Sequence, residues 1–176
     1  MWTCLLLLLA ASPARAADGF LGHYGYLLTL PEGYSAAPSF KEEAEVVLII
    51  PASCDGKKPV ECAALGLLEV TALPKPMVKR SGITTLRQYA DAVVDSLRKA
   101  KLAPKVTRGK SAGFPSTTIL MRGHPEPLNA MIMVEGSKVF YRVKFNEKAA
   151  RKTAERLLSS LKELKPTDEP PPAAKP

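Results

Sequence analysis

Residues 128–145 read Leu-Asn-Ala-Met-Ile-Met-Val-Glu-Gly-Ser-Lys-Val-Phe-Tyr-Arg-Val-Lys-Phe. Two runs of strand length flank Gly136-Ser137, a pair suited to a tight hairpin turn. Along 138–145, Val139, Tyr141, Val143 and Phe145 fall on one side, and Lys138, Phe140, Arg142 and Lys144 on the other. One side is apolar and its opposite is basic and aromatic, three cations with one Phe, as a period of two allows of a strand. Strands joined by so short a turn run antiparallel, so the sheet is at least partly antiparallel.

Further strands read outward from this hairpin. Residues 45–50 are Glu-Val-Val-Leu-Ile-Ile, closed by Pro51; a run apolar on both faces predicts a central strand. Residues 65–73 form a second near-continuous run with Glu69 and Thr71 on one face, and 24–30 and 116–121 are shorter strand candidates. Two segments carry helical spacing instead. Thr85 with Gln88 makes a capping box, followed by Leu86, Tyr89, Ala90, Val93, Val94, Leu97 and Ala100. Asn146 caps the other, which runs through Ala150, Ala154, Leu157, Leu158, Leu161 and Leu164. Strands apolar on both faces need cover on both faces, so the expected fold class is α+β, a largely antiparallel sheet sandwiched between helices.

The ends of the chain have a different composition. Residues 5–9 are five leucines, extended by two alanines and followed by Ser12-Pro13 and Ala14-Arg15-Ala16. A short apolar core before A-x-A predicts a secretory signal peptide over residues 1–16. The run is shorter than the ~20 apolar residues of a spanning helix, and no other stretch is long enough, so no transmembrane segment is expected. Residues 17–164 then form a single domain, and 165–176 a proline-rich tail expected to be disordered. The predicted location is exported, periplasmic or extracellular.

The chain has 176 residues, 25 Lys and Arg against 17 Asp and Glu, and a formal charge of +8. An apolar share of 46% excludes a mainly disordered chain. Three cysteines and two histidines furnish neither a disulfide-dense scaffold nor a His-rich metal site, so no metal or other cofactor is expected. With Cys4 removed in the signal, Cys54 and Cys62 remain, an even number in an oxidising compartment. Their C-x7-C spacing, with turn formers between, predicts a structural disulfide rather than a redox C-x-x-C pair.

The order of elements also resembles a known family. A strand ending Leu-Pro-Glu-Gly-Tyr (30–34) opens the domain, a helix Thr-Leu-Arg-Gln-Tyr-Ala-Asp (85–91) sits in its middle, and Gly-Ser-Lys-Val-Phe-Tyr-Arg-Val with a helix ending Leu-Leu-Ser-Ser-Leu-Lys (157–162) closes it. Over most of residues 20–164 this is similar to the PsbP-like family, whose α/β/α sandwich is shared with the nuclear import factor Mog and many small exported bacterial proteins. The resemblance implies a non-enzymatic binding or assembly role and carries over no functional residue.

Several patterns resemble catalytic motifs without their partners. Gly109-Lys110-Ser111 lacks the first glycine of a phosphate-binding loop, since residue 104 is Pro. Ser96-Leu97-Arg98-Lys99 and Ser159-Ser160-Leu161-Lys162 match S-x-x-K with no companion motif. His23 and His124 lie a hundred residues apart beside Gly and Pro, and Asp91 and Asp95 share a solvated helix face. The charge distribution says more. Lys75, Lys79 and Arg80 precede the first helix, Arg142 and Lys144 end the last strand, and Lys148, Arg151 and Lys152 crowd the start of the second helix. Cations near a helix N-terminus oppose its dipole, so helix propensity does not account for them. They predict a patch for an envelope protein or for an anionic polymer or lipid headgroup. Nucleic acid is not an expected partner outside the cell. The expected function is therefore an exported, non-enzymatic binding or assembly domain; the alternative is a small secreted hydrolase with a site assembled from distant loops.

Overall fold

Alternation and turn chemistry lay down ten strands in the computed structural model, which describes residues 19–111, 113–122 and 127–164. β1 (Gly19–Gly22) and β2 (Tyr26–Thr29) form a hairpin whose turn places Gly25 at φ 70°, a conformation that glycine adopts without strain. β3 (Tyr34–Lys41) and β4 (Ala44–Pro51) make a second hairpin. A 3-10 turn over Ala52–Cys54 leads to α1 (Pro59–Ala64), whose opening Pro is preset for a helix start. β5 (Leu68–Pro74) is followed by α2 (Lys75–Lys79) and α3 (Leu86–Lys99). Thr85 caps α3 with the expected box, its hydroxyl accepting from the Gln88 N–H. β6 (Ala103–Ser111), β7 (Phe114–Arg122), β8 (Ala130–Glu135) and β9 (Val139–Phe145) then meander antiparallel. Asn146 caps α4 (Glu147–Ser159) by accepting from the Lys148 and Ala149 N–H groups, and β10 (Lys162–Glu163) follows.

Seven strands form one antiparallel sheet in the order β3-β4-β5-β9-β8-β7-β6, and β1-β2-β10 form a second. On one face of the large sheet, Val47, Ile49, Val70, Tyr141, Val143 and Phe145 pack against α4 and against Tyr26 and Leu28 of the small sheet. On the other face α3 lies mainly over β6, β7 and β8 and reaches β9 at Phe140, burying Leu86, Tyr89, Ala90 and Val94 against Ile119, Met131, Met133 and Phe140. The two sheets are tied reciprocally. Glu45 of β4, 2% exposed, accepts the His23 N–H with both oxygens, at 3.1 and 3.0 Å. Glu163 of β10 accepts the Ser137 N–H at 3.0 and 2.8 Å and the Tyr141 hydroxyl at 3.0 Å. Each carboxylate thus satisfies the backbone of a hairpin turn in the opposite sheet.

This corrects the expected α+β sandwich of a largely antiparallel sheet between helices. Among the described residues the protein is mostly antiparallel β, ten strands in two sheets with few helices, and not an α/β/α sandwich. A second sheet supplies part of the cover assigned to helix. β3 and β6 also escaped the pattern, because edge strands are hydrogen-bonded on one side only and need no continuous apolar face. Pro38 within β3, and Pro104, Lys105, Arg108 and Lys110 within β6, leave both edges poorly suited to pairing with another strand.

Candidate functional site

Because α3 covers only part of its face, the strands beyond it present polar side chains into a groove. The β5–β9 register sets Glu69 opposite Lys144 and Thr71 opposite Arg142. Arg142 donates to the Thr71 hydroxyl at 3.2 Å and lies 3.9 Å from the Glu69 carboxylate, and the Lys144 ammonium is 3.6 Å from the same oxygen. One carboxylate therefore faces two cations. The Arg142 Nε is buried and meets no acceptor among the described residues. All three charged side chains keep about a quarter of their surface exposed, 25% each.

The groove between these cations and α3 has a volume of about 500 Å³. Tyr89, Ala92, Val93, Ser96 and Leu97 form the helix wall, with Ile83 ahead of the helix, and Met121, Met131, Arg142 and Lys144 form the floor. Burial pushes the Tyr89 phenol up while the positive charge of Arg142 pulls it back, so Tyr89 stays a neutral O–H at physiological pH. α3 is held in place from below: Glu135 of β8 accepts the Leu86 N–H at 3.0 Å and the Lys75 ammonium at 2.9 Å. Burial alone would raise the Glu135 carboxyl, but Lys75 and the Leu86 N–H together hold it below the ordinary Glu value.

The eight cations of the expected patch are shared between the two sides of the sheet. Arg142 and Lys144 alone line the groove. Lys75 pairs with Glu135 and sits over the Phe140 ring at 5.2 Å, and Arg80 pairs with Glu43 at 3.1 Å. Lys79 is exposed at the end of α2, a short helix ahead of α3. α4 packs on the opposite face. Its Arg151 is held by Glu147 at 2.7 Å and Glu155 at 3.1 Å, while Lys148 and Lys152 are exposed with no ion pair among the described residues. Sequence reasoning picked out Arg142, Lys144, Glu69 and Thr71 as residues on single strand faces. It missed Met121 and Met131 as site residues, and the signal available was their place in strand runs.

Cys54 and Cys62 are both buried free thiols, so the expected disulfide is not formed in this structure. They are neighbours: the Cys62 thiol donates to the Cys54 carbonyl at 3.8 Å, and both pack with Leu67 against Leu48 and Ile50. Burial, with the hydrogen bond and charge of Cys62, pushes the Cys54 thiol up to about 11, leaving it protonated near neutrality. Ser96 donates to the Ala92 carbonyl at 3.0 Å and Ser159 to the Arg156 carbonyl at 2.8 Å, each within its own helix. The His23 ring meets Tyr24 and Phe40 edge-on. His124, residues 1–16 and residues 165–176 lie outside the described residues. Among the described residues no group of three or more His, Cys, Asp or Glu could hold a metal ion, and no helix is long and apolar enough to cross a membrane.

No protein-family profile matches the chain, and no curated protein matches it. Among solved structures it is similar to a crystal structure from Bacteroides thetaiotaomicron VPI-5482 at 1.50 Å, with 10% identity and a TM-score of 0.43. The match covers 89% of this chain and 52% of the other, so this chain spans about half of that one's length. A likeness this loose carries no inference about function, and none of these comparisons bears on the PsbP-like resemblance.

Proposed function

We propose that this chain is an exported, non-enzymatic binding domain that holds an anionic component of the cell envelope in the groove beneath α3. The observation that carries the reading is the pair Arg142 and Lys144, two partly exposed cations sharing one carboxylate, Glu69, with the Arg142 Nε buried and unpartnered. An N–H donor buried without an acceptor costs free energy, and an incoming anion would supply the acceptor. Export to the periplasm or beyond rests on the signal at residues 1–16. It would also place Cys54 and Cys62 where an oxidant can join them. Lys148, Arg151 and Lys152, on the other side of the sheet, stay outside this reading. The hydrolase alternative draws no support from Ser96, Ser159 or His23, none of which meets a nucleophile or base partner among the described residues.

The test is a titration of isotope-labelled mature protein, residues 17–176, with inorganic phosphate and with acetate, followed by backbone amide NMR. Shifts should concentrate at residues 69, 71, 142 and 144 and vanish in R142Q/K144Q. An absence of shifts at all four positions with every anion tried would overturn the reading.

A further inference from the structure

We infer that the groove's ligand is a monoanionic amphiphile, a single carboxylate carrying one flexible alkyl chain. This rests on the anion reading above and adds the chemistry of both ends of the ligand. At the head, Arg142 and Lys144 contribute two positive charges and Glu69 one negative, leaving one charge for the ligand to neutralise. A monoanion closes that balance, whereas a dianion would leave the half-buried site negative. For the tail, Val93, Leu97, Met121 and Met131 line the same groove, with Met131 directly opposite Lys144 in the sheet and Met121 one strand further from the cations. Its volume of about 500 Å³ lies within the roughly 300–1,000 Å³ of small-molecule sites. Two methionines in the floor suit a chain that takes several shapes, because the unbranched thioether repacks around its neighbour. The Ser96 hydroxyl donates to its own helix, so it makes little polar demand on the chain.

The experiment is isothermal titration of the mature protein with acetate, dodecanoate and dodecanol, the amphiphiles kept below their aggregation concentrations. Wild type is compared with R142Q/K144Q and with Ala92→Trp. Ala92 is exposed on the helix wall, so an indole there fills groove space from α3 and not from the strand that carries the cations. Ser96→Trp, one turn further along, replaces it should the first variant misfold. Dodecanoate should bind at least roughly 100-fold tighter than acetate, since each buried methylene adds to affinity. R142Q/K144Q should weaken dodecanoate by roughly tenfold or more. Ala92→Trp should weaken dodecanoate while leaving the acetate-induced amide shifts intact. Acetate binding as tightly as dodecanoate overturns the amphiphile and leaves the anion reading standing. Dodecanoate indifferent to the tryptophan also overturns the amphiphile alone. Dodecanol matching dodecanoate, or no binding by either anion, overturns both.

Discussion

The two faces of the seven-stranded sheet are made by the same strands and have opposite fates. On one, every second residue of β4, β5, β8 and β9 meets α4 or the small sheet, and Val47, Ile49, Tyr141 and Phe145 are at most 1% exposed. On the other, α3 lies mainly over β6, β7 and β8 and meets β9 only at its Phe140 end, and β5 with the rest of β9 carries Glu69, Thr71, Arg142 and Lys144. Strict alternation lets one strand serve both purposes, Val143 in the core and Arg142 and Lys144 beside it in the groove. The closed face holds the core, and the open face carries the charged groups of the proposed site. Mutations on the two sides should therefore separate folding from binding.

The largest effect belongs to the closed face. Phe145→Ala removes a fully buried ring and should cost about 3–5 kcal/mol in denaturant unfolding. A loss under about 1 kcal/mol would mean that this face is not the core.

Next is the thiol pair, which packs against Leu48 and Ile50 at the uncovered end of the groove face. Joining Cys54 to Cys62 should stabilise the domain by roughly 2–3 kcal/mol by restricting the unfolded chain. The check is to compare unfolding midpoints of protein recovered under oxidising conditions with and without reductant. Two titratable thiols in the oxidised sample would rule the bond out.

Glu135, which anchors α3 and so one wall of the groove, comes third. Glu135→Gln should cost about 1–2 kcal/mol at neutral pH, because two N–H donors lose a charged acceptor. The sign follows from linkage: the folded carboxyl lies below its ordinary value of 4.5, so its contribution is present above that pH. It is lost as pH falls through the lower folded value, and the gap between wild type and variant should close there. A gap independent of pH would assign the loss to packing.

The smallest effect on stability should come from the two cations of the proposed site. R142Q/K144Q should change unfolding free energy by less than about 1 kcal/mol, since both side chains are partly exposed and their contacts with Glu69 are long. A loss of several kcal/mol would make the pair a structural bridge and collapse the contrast between the faces.

Much of this was legible from the chain alone. The hairpin at Gly136-Ser137, the central runs at 45–50 and 65–73, and the caps Thr85 and Asn146 are local signals, and each sits where its element formed. β3 and β6 were not legible, because an edge strand such as Tyr-Ser-Ala-Ala-Pro-Ser-Phe-Lys buries too little to show a pattern. The small sheet was missed for another reason: β10 is two residues long and exists by pairing with Tyr26 and Leu27, more than a hundred positions away.

The site divides in the same way. Alternation within 138–145 put Arg142 and Lys144 on one face, and that within 65–73 put Glu69 with Thr71. The sequence thus determined which residues share a strand face, because side-chain direction is fixed by the backbone of the strand itself. Only the tertiary structure decided that β5 pairs with β9, that α3 leaves β5 and the Arg142–Lys144 part of β9 uncovered, and that Lys148 and Arg151 stand on the far side of the sheet. Those facts depend on contacts between distant segments, whose free energy no local pattern carries.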